Sequence, residues 1–212
     1  MKTDDLITAL AADTGRPVIH QRSVWIASVL ASALLAGLVL FATIGPRPDI
    51  AAAAATLRFL FKFVVTATLA GSALFVLDRL ARPGTARTTN LLWLLLAPAL
   101  LLGAIGAELL AQPEAQWQTL AIGSNSRVCL TWIPLIGLGP LALFIFGLRR
   151  GAPTRPGLAG VVAGLVAGGI AATFYAAHCT DDSPLFVATW YTLAIAVLGA
   201  IGGAAGRLFA RW

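Results

Sequence analysis

Cys129 and Cys179 are the only two cysteines of this 212-residue chain, and His178 is one of its two histidines. With Asp181 and Asp182 they gather thiol, imidazole and carboxylate groups into two short stretches, Arg127–Pro134 and His178–Tyr191. Three chemistries are open to such a pair. A structural disulfide would typically contribute about 2–4 kcal/mol. A reversible dithiol would respond to oxidants. A transient thiophilic metal would sit between Cys129, Cys179 and His178, with an Asp181 or Asp182 carboxylate assisting. Arg127 favours a thiolate at Cys129, whereas the acids beside Cys179 disfavour one there. No Cys-x-x-Cys pair, nucleophilic triad, phosphate loop or dinucleotide fingerprint occurs, so the chain reads as a non-enzyme without a resident cofactor.

The elements that must position these residues are helices in a bilayer. Hydrophobic residues make up 58% of the chain and charged ones only 11%, more apolar side chain than a soluble interior of this size can hide. Six apolar runs approach or exceed the roughly 20 residues needed to cross the hydrocarbon. They are Val24–Ile44, a segment centred on Phe63–Leu77, Leu91–Ala111, Val128–Leu148, Gly157–Ala177 and Leu185–Gly206. The expected fold is an all-α membrane protein, a six-helix transmembrane bundle over residues 24–212, preceded by a short amphipathic helix within residues 1–23. In that lead, Thr3 can cap a helix carrying Asp4 and Asp5 in its first turn, with Leu6, Ile7 and Leu10 at helical spacing. It is shorter than the roughly 12–15 residues an isolated helix needs. Docking on a partner and lying on the chain's own membrane are both open for it.

The other segments carry weaker signals. Pro48-Asp49 can start a helix that continues to Leu80, about 48 Å long and projecting from the membrane. Arg58, Lys62 and Glu108 are expected at one interface, as headgroup-seeking cations and an interhelical salt bridge rather than an ion path. Pro98, Pro134 and Pro140, with Gly137 and Gly139, predict kinks or a broken helix. Broken helices also line transport sites, which keeps a small metal or solute transporter or channel open as an alternative function. Gly160, Gly164 and Gly168 face Gly199, Gly202, Gly203 and Gly206 in a small-residue pattern that predicts close packing of the last two helices; a homodimer seam is the alternative.

Charge sets the orientation. Six spans put both termini on one side, and with them go 11 of the 15 basic residues. The basic excess places both termini in the cytoplasm, and it is spread over helix ends rather than gathered into a nucleic-acid patch. Cys129 and Cys179 then share the outer face, an oxidising compartment in a bacterial periplasm.

The sequence resembles the NrsF-type membrane anti-sigma factors, negative regulators of extracytoplasmic-function sigma factors, over essentially its whole length. The resemblance is carried by Thr3-Asp4-Asp5-Leu6-Ile7 with Leu10, by Cys129-Leu130 and Ile133-Pro134, by Leu148-Arg149-Arg150-Gly151-Ala152-Pro153, and above all by His178-Cys179-Thr180-Asp181-Asp182-Ser183-Pro184-Leu185-Phe186-Val187-Ala188-Thr189-Trp190-Tyr191. It implies a multi-pass protein of the bacterial inner membrane that holds a sigma factor inactive. Asp4, Asp5, Leu6, Ile7 and Leu10 are then the expected sigma-binding residues. Release would follow heavy-metal or oxidative stress sensed by Cys129 and Cys179, with His178, Asp181 and Asp182 as helpers.

Overall fold

A computed structural model describes residues 3–5, 7–8, 20–85 and 88–210, and the described residues form helices joined by short loops, without a strand. Six helices are long and apolar enough to cross a membrane: α1 (Gln21–Thr43), α2 (Leu57–Ala81), α3 (Thr88–Ala111), α4 (Ser126–Leu148), α5 (Pro156–Tyr175) and α6 (Pro184–Phe209). All six expected runs are present, each longer or shorter by a few residues at its ends. Of the N-terminal lead, Asp4, Asp5, Ile7 and Thr8 lie in exposed helical turns, with the Thr8 hydroxyl donating to the Asp4 carbonyl at 2.8 Å. Leu6 and Leu10 lie outside the described residues.

The order of packing follows from where small residues allow backbones to meet. α5 is the central helix, buried on most sides, with α6, α2 and α4 against it, and α1 packs chiefly on α4 while also touching α5. The α5–α6 seam is the tightest: a Cβ built on Gly160 would stand 2.1 Å from the Gly202 carbonyl oxygen, and one on Gly164 2.3 Å from that of Leu198. The glycine spacing therefore does what close approach requires. α3 packs chiefly on α2 and is the most lipid-exposed span, with only 11% of its apolar window buried.

Three expectations are corrected. The projecting helix from Asp49 does not form. A single turn, Ile50–Ala53, ends at once, and α2 starts afresh at Thr56, whose extended backbone and hydroxyl, accepting from Phe59 N–H at 3.4 Å, make an N-cap. A threonine ahead of an apolar run is a start signal that outweighs the alanine run before it. α4 is one continuous helix through Pro134 and Pro140, which removes the broken-helix alternative. In α3 the irregularity lies before the proline: Thr88–Leu95 is a 3-10 helix, and the α-helical part begins at Leu96, placing Pro98 in its first turn, where a missing N–H costs least. The short helix Glu114–Ile122 between α3 and α4 was not foreseen, although Pro113-Glu114 is a fair start signal.

Candidate functional site

The chain alternates direction, so the starts of α2, α4 and α6 and the ends of α1, α3 and α5 meet at one end of the bundle. There the loop His178–Ser183 joins α5 to α6. It carries Cys179, whose N–H donates to the Tyr175 carbonyl in the last turn of α5 at 3.1 Å. Cys129, one turn into α4, is buried in the same core cluster, and both thiols are free and fully enclosed. The two thiols share one buried core cluster, with the sulfurs sealed inside rather than displayed at the surface.

Asp181 and Asp182 do separate jobs. Asp181 turns towards the start of α4. Its Oδ2 accepts from Ser124 N–H at 3.0 Å, Asn125 N–H at 2.7 Å and the Asn125 side-chain amide at 3.1 Å. A carboxylate there satisfies orphan donors and meets the positive end of the helix dipole. Asn125 also donates to Thr180 Oγ1 at 2.8 Å, so the turn before Cys129 is pinned to the residues after Cys179. The approach requires Gly123: its φ of +58° suits glycine, and a Cβ there would strike Phe186 at 2.4 Å.

Asp182 turns the other way, into a buried cation cluster. Lys62 Nζ lies 2.5 Å from Asp182 Oδ1, and Arg47 Nη1 lies 2.9 Å from its Oδ2. Both cations also donate to the carbonyl of Cys179, Lys62 at 2.8 Å and Arg47 at 3.3 Å. Lys62 makes a third bond, to the Asp181 carbonyl, at 3.4 Å. Phe59 packs against both cations, its ring centre 5.3 Å from Lys62 Nζ and 5.7 Å from Arg47 Cζ. Arg47 forks bidentately onto Asp49 at 2.7 and 2.8 Å and donates its backbone N–H to Ala177 at 3.0 Å. That pairing raises the Arg47 pKa and lowers that of Asp49.

Lys62 is thus not a headgroup-seeking lysine; its side chain is 0% exposed. Of the expected Arg58, Lys62 and Glu108 interface, only Arg58 pairs with Glu108, at 3.3 Å. Glu108 Oε2 accepts from Ser183 Oγ at 2.6 Å and Leu185 N–H at 3.2 Å, tying α3 to the start of α6. His178 Nδ1 donates to the Gly45 carbonyl at 2.8 Å. Every helper expected of the cysteines has an anchoring partner, and among the described residues no group of three or more His, Cys, Asp or Glu is arranged to hold a metal ion.

Around the sulfurs the packing is aromatic. Tyr175 and Tyr191 meet at 5.9 Å with their rings tilted by 59°, Phe186 meets Tyr191 at 6.3 Å, and both tyrosine hydroxyls are buried beside the Cys179 sulfur, without a nitrogen or oxygen partner among the described residues. Tyr191 closes a π-helical turn, Val187–Tyr191, in α6. Burial pushes the Cys179 thiol pKa up, against the pull of the Lys62 ammonium. Over the loop lies an open cleft of about 840 Å³ of mixed lining, walled by Arg58, Leu120, Ile122, Ser124, Asp181 and Asp182 among others. The cation cluster, the split roles of the two aspartates and the buried tyrosines were all missed from sequence, and only Lys62 carried a signal, as a charge inside an apolar run.

Fold and site together define a six-helix membrane-protein class with a buried thiol pair under one polar end. The chain belongs to the NrsF family, described as negative regulator of sigma F, whose model matches residues 10–212. It is 38% identical over 220 residues to the anti-sigma-F factor NrsF of Caulobacter vibrioides, covering all of both chains. It is 34% identical over 216 residues to the probable anti-sigma-F factor NrsF of Azospira oryzae, again over the full length of both. No solved structure matches.

Proposed function

We propose that this protein is an anti-sigma factor of the bacterial inner membrane, with both termini cytoplasmic. It sequesters an extracytoplasmic-function sigma factor on its N-terminal segment and releases it when Cys129 and Cys179 meet a soft metal or an oxidant. Membership of a family of sigma regulators supports the regulatory role. The observation that carries the sensing role is the burial of the chain's only two thiols in one core, on stretches tied to each other through Asn125, Thr180 and Asp181. Chemistry on that pair, a disulfide or a shared metal ion, alters a packed core rather than a surface. It acts at a distance only if the two states differ in their affinity for the sigma factor. Asp4, Asp5, Leu6, Ile7 and Leu10 form the proposed docking stripe.

The test uses a reporter driven by the cognate sigma factor, with diamide and Cd²⁺ as probes. Leu6→Asp with Leu10→Asp should free the sigma factor at unchanged membrane abundance. Cys129→Ser with Cys179→Ser should abolish induction by both probes. Full repression by the first variant, or normal induction in the second, refutes the corresponding half of the proposal.

A further inference from the structure

We infer that Lys62 is a latch, a positioning residue that ties the thiol loop to α2 and makes α2 the helix that carries the signal across the bundle. The inference rests on the thiol-sensing proposal but concerns a different residue and a different step.

An ammonium has three donor hydrogens, and those of Lys62 are spent on one loop: the carbonyls of Cys179 and Asp181 and the carboxylate of Asp182. Burying a charge is expensive, and a methionine or leucine would fill the same space without that cost. A span that keeps a fully buried lysine near one end is using it for something packing alone does not need. The bond to the Cys179 carbonyl is the telling one. A disulfide or metal at Cys179 that draws its backbone along, beyond a turn of χ1, moves the carbonyl that Lys62 and Arg47 hold and strains or breaks those bonds. Chemistry at the sulfur is thereby converted into a force on α2.

Sixteen residues further along α2, about 24 Å away, sits a second grip. Asp78 accepts from Trp25 Nε1 at 3.0 Å and from Arg82 at 2.7 Å. Trp25 lies in the second turn of α1, immediately after the N-terminal segment, and packs on Phe144 of α4 with ring centres 6.2 Å apart. α1 and α2 otherwise hardly touch; a cleft of about 500 Å³ separates them, lined by Arg22, Trp25, Leu30, Phe75 and Asp78 among others. One helix thus holds the thiol loop at one end and the root of the N-terminal segment at the other.

The test replaces Lys62 by Met in the full-length protein, in cells with the cognate sigma factor and reporter and without any inducer. The latch predicts release: a rise of at least tenfold in reporter output at unchanged membrane abundance, and labelling of Cys179 by a methanethiosulfonate reagent at least tenfold faster. Release should persist when Cys129 and Cys179 are both Ser, because the latch acts after the thiols, and Lys62→Arg should restore part of the repression. Tight repression with wild-type labelling in Lys62→Met at normal abundance overturns the inference. Should that variant fail to accumulate, Asp182→Asn decides. It keeps both carbonyl bonds of Lys62 but removes the ion pair, and is expected to give intermediate release; full repression at normal abundance overturns the latch. Normal diamide and Cd²⁺ induction in the double-Ser protein would instead remove the thiol-sensing proposal, whatever Lys62→Met does.

Discussion

Gly160→Ala and Gly103→Ala make the same chemical change in two helices and should have opposite consequences. A Cβ at Gly160 falls 2.1 Å from the Gly202 carbonyl oxygen and 2.9 Å from Gly206 Cα, both backbone atoms that no side-chain rotation can move aside. The shortfall from ordinary contact is about 1 Å, so α5 and α6 must part by roughly that much along the seam. A gap of that size forfeits roughly a quarter to a half of each dispersion contact next to it. Overpacking of this kind typically costs about 1–3 kcal/mol, against a helix-propensity gain from Gly to Ala of up to about 1 kcal/mol. At Gly103 a Cβ meets nothing within 4 Å, so only the propensity term remains. Reversible unfolding of both variants in mixed micelles of mild detergent and SDS should show Gly160→Ala less stable by about 1–2 kcal/mol net, an approximately five- to thirtyfold shift in the unfolding equilibrium. Gly103→Ala should be neutral or slightly stabilised. Equal stability of the two proteins would refute the reading of α5–α6 as the closest helix pair. Because the same two helices bracket the thiol loop, the destabilised variant should also expose Cys179 to thiol reagents sooner.

Two more outcomes follow from the site. Asp181→Ala strips the acceptor from the Ser124 and Asn125 N–H groups and the Asn125 amide; it should cost about 1–3 kcal/mol and speed labelling of Cys129, and unchanged labelling would deny Asp181 its anchoring role. For Cys179 the pKa is raised in the fold, so the folded state keeps a proton that the unfolded chain loses above about pH 8.5; stability from this group is present below that pH and declines above it. The maleimide reaction rate of the folded protein should therefore go on rising past the pH of about 8.5 at which a free thiol begins to level off, and a plateau there would contradict the buried thiol.

The spans were legible because a bilayer demands one long apolar run per crossing, and the α5–α6 seam because glycine at four-residue spacing has few other uses. The site was less so. Lys62 reads from sequence as an interfacial cation one turn after Arg58, and nothing local indicates that it reaches a loop 117 positions away. Asp181 and Asp182 read as one acidic pair, yet in an irregular loop neighbouring side chains diverge, one to the start of α4 and the other to the cations. The cap at Thr56 and the short helix after Pro113 were legible in principle. The alanine run hid the first, and the lack of a long apolar stretch hid the second.

The polar groups beside the sulfurs bear on how a thiol pair in this setting can respond at all. The reacting form is the thiolate, and Cys179 is held against ionisation and away from water. Its reaction rate is therefore limited by the small thiolate fraction of the closed protein, and every opening of the loop that relieves the burial raises it. One feature makes that opening easier than the burial suggests: the cleft above the loop gives water and small reagents a path to it. Opposing it are the bonds of Lys62 and Arg47 to the Cys179 carbonyl and the Asp182 carboxylate. The threshold of the proposed response is set by how firmly that satisfied charge cluster holds the loop shut. Substitutions at the cations should move it towards release.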